Sequence, residues 1–275
     1  MLKTIWSIFV FIFFLSFLIY LDLRPKVKNI EIVQIPPVFT EIPQETPSFD
    51  NELINHINSV NSKINSIYYP KITIRSGNVK LQSIFLYEKN KNFRMKNWSF
   101  LGLEADVGSN SNVFWFWSKH MEPSALFYSH HKNLSKTRLK TLFHPEWMME
   151  TIGINEIETK GLFVFDYKSY TCAVQSRLNT ITGEPLTRVY LIDKNKKAFY
   201  GHYLFDKLQN LIVSFEVYDY YLIDEVYFPK EVGIFWEQES IKLNWKLERP
   251  IINSKLDKNN WKVPNIKPQI DLNGY

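Results

Sequence analysis

The sequence predicts a mainly β protein. The expected fold is a large, strongly curved antiparallel sheet or open barrel of about ten to eleven strands. One amphipathic helix precedes the sheet, and one apolar membrane segment precedes the helix. Three observations lead there. Aromatic residues make up 16% of the 275 residues, and aromatic side chains favour pleated, half-buried surfaces. After Tyr68 the apolar residues alternate with polar ones in short runs separated by polar turns, which is the period of a strand. The chain also lacks βαβ alternation, a Gly-rich loop after a strand, and any internal repeat of roughly 20–50 residues.

Composition narrows the classes further. A hydrophobic content of 45% excludes an intrinsically disordered chain, which cannot bury that much apolar surface. The single cysteine, Cys172, excludes an internal disulfide, a thiolate zinc site and a CxxC redox pair; it reads as a small buried hydrophobe. The net charge of +5 is concentrated at the start. Lys3, Arg24, Lys26 and Lys28, with Asp22 among them, flank an apolar run, and the chain beyond Lys28 holds 29 basic and 27 acidic residues. A nearly neutral domain lacks the electrostatic footprint of a nucleic-acid binder.

That apolar run, Ile5 to Leu21, is 17 residues without a charge, at the short end of a spanning helix. It lacks the small residues of a signal cleavage site and is not followed by a cysteine for lipidation. Residues 1–28 therefore read as an uncleaved signal anchor, a single membrane pass. Its charges disagree about orientation. Arg24, Lys26 and Lys28 outnumber Lys3 and the amino terminus, which by the positive-inside rule keeps the domain cytoplasmic. A four-residue tail before a signal-like run more often sends the rest of the chain across, and the outside is the expectation. Residues 29–48 follow as a linker with Pro36, Pro37, Pro43 and Pro47, extended and semi-rigid. The domain is expected over residues 49–275.

In the domain, residues 49–67 predict a helix. Leu53, Ile57, Val60, Ile64 and Ile67 recur at spacings of four and three, a stripe that covers a sheet. Ser48 or Asp50 suits its N-cap. Strands follow around Ile72–Ile74, Val79–Tyr87, Phe93–Met95, Leu103–Val107 and Val113–Trp117. Gly77-Asn78 and Gly108–Asn112 mark turns. Residues 118–155 break the rhythm with Pro123 and Pro145, and read as a non-strand insertion with short helical pieces such as Pro145–Ile152. Strands resume at Leu162–Tyr167, Tyr170–Ser176, Thr187–Ile192, Phe199–Phe205, Leu211–Tyr218, Val232–Trp236 and Ile241–Leu247.

The order of helix, meander, helical insertion and further strands resembles the LolA/LolB-like superfamily, the carriers and receptors of bacterial outer-membrane lipoproteins. Several residues carry the likeness over about residues 49–265. Asn92-Phe93-Arg94 resembles the family's Phe-Arg pair opening a strand. The Gly108 turn leading to Trp115-Phe116-Trp117 resembles its Gly turn and Trp-x-aromatic strand. Ile241-Lys242-Leu243, Asn253 and Trp261-Lys262-Val263-Pro264 resemble its closing strand and ending. The resemblance implies a half-barrel around a hydrophobic cavity under short lid helices, binding acyl chains without catalysis. It names a lipid or acylated lipoprotein as partner and no cofactor. Soluble carriers lose their signal and receptors use a lipidated cysteine, so the anchor here points to a tethered role, which with the resemblance implies a single pass through the inner membrane and a periplasmic domain.

The residues themselves also suggest an acyl-chain site. Phe93, Met95, Phe114, Trp115, Phe116, Trp117, Phe163 and Phe165 are candidate lining residues, because strands apolar on both faces must cover one face or offer it to a ligand. Trp147, Met148 and Met149 in the insertion are candidate lid residues, since methionine adapts to variable apolar shapes. For each, an ordinary core position is the alternative. Arg94, between Phe93 and Met95, is a candidate lid latch; if buried it needs carbonyl or carboxylate partners. Otherwise it faces solvent, as Lys96 does in that reading. His120, His130, His131 and His144 lack the spacing of a metal site, and no G-x-S-x-G, S-x-x-K or Walker sequence is present. Two other functions compete with a carrier: an anchored scaffold binding an envelope protein at a sheet edge, and a hydrolase using the insertion.

Overall fold

The structure, a computed structural model, describes residues 52–89, 92–136, 153–154, 156–178, 185–237 and 240–274. The anchor from Ile5 to Leu21, the Pro-rich linker and the Trp147, Met148, Met149 cluster lie outside the described residues. No helix among the described residues is long and apolar enough to cross a membrane.

The alternating pattern does produce antiparallel strands. The first meander runs β1 (Ser66–Ser76), β2 (Val79–Glu88), β3 (Asn92–Ser99), β4 (Gly102–Ser109), β5 (Val113–Ser118) and β6 (Leu126–His130). The second runs β7 (Leu162–Asp166), β8 (Tyr170–Leu178), β9 (Pro185–Asp193), β10 (Ala198–Phe205), β11 (Leu211–Ile223), β12 (Val226–Trp236) and β13 (Ile241–Leu247). They join because β13 pairs with β1, Ile72 opposite Leu247 and Ile74 opposite Trp245. Two short pieces complete the set: β14 (Ile251–Ile252) pairs with β1, and β15 (Gln269–Asp271) lies parallel to β6. One sheet results, in the order β15-β6-β5-β4-β3-β2-β1-β13-β12-β11-β10-β9-β8-β7 with β14 beside β1. Among the described residues its end strands β15 and β7 do not pair with each other, so the curved sheet stays open.

Fifteen described strands exceed the ten to eleven expected. The difference includes β6, inside the segment read as non-strand, and the short β14 and β15. Leu126, Phe127 and Ser129 are all buried, so β6 shows no alternation for a sequence to display.

One α-helix stands among the described residues, α1 (Glu52–Ser62). It is shorter than the 49–67 expected, because Ile67 and its neighbours enter β1. Its buried stripe is Ile54, Ile57 and Asn61. Ile54 and Ile57 pack on Val164 of β7, Ala173 of β8 and Tyr190 and Ile192 of β9, together with Ile157. Paired side-chain bonds fix the helix to the chain before β7. Asn58 Nδ2 donates to Ile157 O at 2.9 Å, and Ile157 N donates to Asn58 Oδ1 at 2.7 Å. Asn61 Nδ2 donates to Gly153 O at 3.1 Å.

Candidate functional site

The face of the sheet that receives α1 is the inner face, and strand register traces it across the fold. In the second meander it passes through Val164, Ala173, Tyr190, His202, Phe215, Ile234 and Leu243. In the first it passes through Phe85, Met95, Val107, Phe116 and Phe127. Buried residues of β1–β5 and β9–β13 on this side form one apolar cluster, which includes Tyr69, Phe85, Phe93, Phe114, Phe215, Trp236 and Trp245. Rings extend it toward the β6 edge, with Phe116 stacked on Phe127 at 5.2 Å between centroids. Among the described residues the helix packs on the part belonging to β7–β9.

Alternation then divides the candidate residues. Phe93, Met95 and Phe114 are buried on the inner face, and Phe116 is half-buried there. Their neighbours Arg94, Trp115 and Trp117 point to the outer face, because successive strand side chains point oppositely. Phe163 and Phe165 also face outward, since Leu162 and Val164 take the inner side of β7. Phe163 is 46% exposed. Phe165 packs against the outer cluster of Tyr167, Tyr170, Cys172 and Leu191. The aromatic residues therefore do not share one wall.

Arg94 illustrates what burial demands of a charge. It lies opposite Gly108, which lies opposite Trp115, in one outer-face row. Its guanidinium forks onto Asp106, Nε to Oδ1 at 3.0 Å and Nη2 to Oδ2 at 2.6 Å. Nη1 donates to the carbonyls of Asn260 at 2.9 Å and Lys262 at 3.3 Å. Trp115 Nε1 donates to Asp106 Oδ1 at 3.4 Å, and its ring lies 5.7 Å from the guanidinium carbon. Gly108 makes room, because a Cβ there would collide with the Trp115 ring. The latch expected of Arg94 thus holds the C-terminal segment around Trp261, on the side away from Phe93 and Met95. Asn110 Nδ2 adds a bond to Trp261 O at 3.0 Å.

Buried polar groups also occur on the inner face. Ser83 donates to Asn97 Oδ1 across β2 and β3, and Tyr190 stacks on His202 at 4.7 Å. Tyr69 is fully buried and its hydroxyl has no hydrogen-bond partner. Burial, with a smaller contribution from Tyr221, drives its pKa well above the ordinary phenol value. Trp245 Nε1, on the same face, is likewise buried without a partner. The alternating apolar pattern gave no sign of either donor. The available signal was an aromatic with a polar atom at an inward-facing position.

Among the described residues no three His, Cys, Asp or Glu side chains gather as a metal site. His120 Nε2 instead lies 2.8 Å from the buried Glu104 carboxylate, which also accepts from Ser99.

No protein-family model matches the sequence, and no curated protein matches it either. Solved structures do. An outer-membrane lipoprotein-sorting protein domain from Vibrio parahaemolyticus superposes with a TM-score of 0.52 at 9% identity, covering 76% of this chain and 94% of that one. A DUF1329 family protein from Desulfovibrio piger gives 0.51 at 12% identity, over 77% and 95%. A LolA superfamily protein from Nitrosomonas europaea gives 0.48 at 8% identity, over 76% and 97%. The fold of this chain is LolA-like.

Proposed function

We propose that the chain is a membrane-anchored carrier or holder of acyl chains in the bacterial cell envelope, taking lipid or acylated lipoprotein, and not an enzyme. One observation carries the reading: a LolA-like open sheet whose inner face holds one large apolar cluster across β1–β5 and β9–β13, with α1 packed at the β7–β9 side. A bound acyl chain lies along the β1–β5 and β11–β13 part of that face, against Phe93, Met95, Phe114 and Phe116. At about 0.8 kcal/mol per buried CH₂, a long acyl chain gains enough to offset the ordering it suffers. The segment Ile5–Leu21 tethers the carrier to the inner membrane, with the domain on the periplasmic side. Trp147, Met148 and Met149 serve as its lid. Phe100, Leu178 and Leu208, exposed by 91%, 64% and 74%, sit at turns or strand ends on one end of the sheet and suit contact with a bilayer.

The test is mass spectrometry of lipids retained by the full chain after transfer into an amphipathic polymer, with binding of a fluorescent fatty-acid analogue alongside. Saturable probe binding and a retained acyl lipid are expected. Absence of saturable binding would end the carrier reading and leave an anchored scaffold that binds an envelope protein at a sheet edge.

A further inference from the structure

The C-terminal tail sits on the β6 edge in the manner of a bound peptide. β15 lies parallel to β6, with Gln269, Ile270 and Asp271 beside Leu126, Phe127 and Tyr128. A parallel neighbour cannot come from a tight turn and needs a long crossover. Here the crossover is the segment after β13, held to the outer face at residues 260–262 by Arg94 and Asn110. The seat itself is small. It consists of three rungs of backbone pairing, the bond from Leu126 N to Pro268 O at 2.9 Å, and two apolar side chains. Leu272 is buried with Met121, Ala125 and Phe127, and Ile270 packs half-buried on the same cluster. The polar groups of the tail largely serve the tail: Asp271 Oδ1 accepts from Asn273 N at 3.0 Å and Asn273 Nδ2 at 2.6 Å. An added strand is recognised in this way, by backbone pairing for affinity and pockets for alternate side chains for selectivity.

The seat adjoins the apolar inner face. Phe127 stacks on Phe116 at 5.2 Å, and Phe116 packs against both the tail cluster and the large inner cluster. The tail strand begins beside Leu126, one residue from the rung where Phe127 faces Phe116. A group attached to the amino end of a peptide in this seat therefore starts next to Phe116 and can continue onto the inner face. We propose that the β6 edge, with Met121, Ala125 and Phe127, is a subsite for the polypeptide part of an acylated protein, and that the tail occupies it in cis until such a ligand displaces it. The proposal rests on the carrier reading and names its ligand class: N-terminally acylated polypeptides with alternate apolar residues, in preference to free fatty acids. A peptide joined to a bound acyl chain meets the edge at a high effective concentration. That lets it compete with a tail that is itself tethered.

The experiment uses the full chain in an amphipathic polymer. The probes are a peptide of residues 267–274 labelled with fluorescein at its carboxyl end, the same peptide palmitoylated at its amino end, a palmitoylated version carrying Ile270→Ser and Leu272→Ser, and palmitic acid. In the protein, Leu272→Ser loosens the tail and should raise affinity for the bare peptide by about tenfold or more, the worth of one buried leucine side chain. Ile270→Ser, a milder change at a half-buried position, should act in the same direction with the wild-type circular dichroism kept. Wild type should hold the palmitoyl peptide about tenfold or more tighter than its serine version or palmitic acid. Equal binding of the bare peptide by wild type and both variants would overturn the cis occupancy. A palmitoyl peptide held no tighter than its serine version would overturn the subsite and leave the carrier reading standing. Failure of palmitic acid and both palmitoyl probes to bind would remove the carrier reading and the assignment with it. Should a variant self-associate, saturating peptide is expected to dissolve the association; one that persists gives the edge to a second copy and overturns the proposal.

Discussion

Replacing Arg94 with methionine tests how the outer face holds the end of the chain. Methionine keeps the length and apolar body of the side chain but removes every donor. Asp106, with a side chain only 2% exposed, would keep the single 3.4 Å bond from Trp115 and lose its fork. Breaking one side of a buried pair costs about 3–5 kcal/mol, because the remaining charge is stranded. The carbonyls of Asn260 and Lys262 lose their donor as well. With a urea dependence of about 3 kcal/mol per molar, the unfolding midpoint should fall by more than roughly 1 M. Tryptophan fluorescence during urea unfolding measures this, and tryptic cleavage at Lys255, Lys258 and Lys262 should accelerate in native buffer. The double variant Arg94→Met with Asp106→Leu removes both charges. It should recover most of the loss, since a well-packed apolar replacement of a buried ion pair is often close to neutral. A single variant costing under about 1 kcal/mol, or a double variant no better than the single, would refute the reasoning. Acyl-probe affinity per folded molecule should be unchanged, because Arg94 and Phe93 face opposite ways.

Three further outcomes are expected. Gly108→Ala should destabilise the domain by about 1–3 kcal/mol, the usual cost of overpacking, since its Cβ meets a Trp115 ring that cannot retreat from Asp106; thermal unfolding reads this directly. Burial pushes the Cys172 thiol from 9.0 up to about 12, so maleimide at pH 8 should label it only after denaturation. The folded state also holds that proton more tightly than the unfolded chain. The thiol's contribution is therefore complete below pH 9 and is lost as pH rises toward 12, measurable as a falling urea midpoint.

The sequence made some of this legible and hid the rest for physical reasons. Period two identified β2, with Val79, Phe85 and Tyr87 buried on one side. It also implied that Arg94 opposes Phe93 and Met95. The partner of Arg94 could not be read, because Asp106 reaches it only through the pairing of β3 with β4. Trp115 and Trp117 were harder to place, since Val113–Trp117 is apolar at every position and a strand apolar on both faces does not say which is inside. The bare Gly108 opposite Trp115 was the clue, as a strand glycine often marks a close approach. The helix was placed correctly but its end was missed, because Ile64 and Ile67 continue its spacing while their backbone turns into β1. The predicted cavity residues were chosen by apolarity alone, so they fell on two faces.

An open sheet leaves its last strands with unused backbone groups, a template on which another chain can add a strand. At one edge this protein covers that template with its own tail. Gln269, Ile270 and Asp271 run alongside Leu126, Phe127 and Tyr128, and Leu126 N donates to Pro268 O at 2.9 Å. Leu272 follows, tucked against Met121, Ala125 and Phe127. Three residues near the carboxyl terminus thus act as a stopper against edge-to-edge association. Removing residues 265–275 should yield a protein that folds yet self-associates through β6. A fusion placed at the carboxyl terminus is tolerated only if it leaves Asp271 and Leu272 seated.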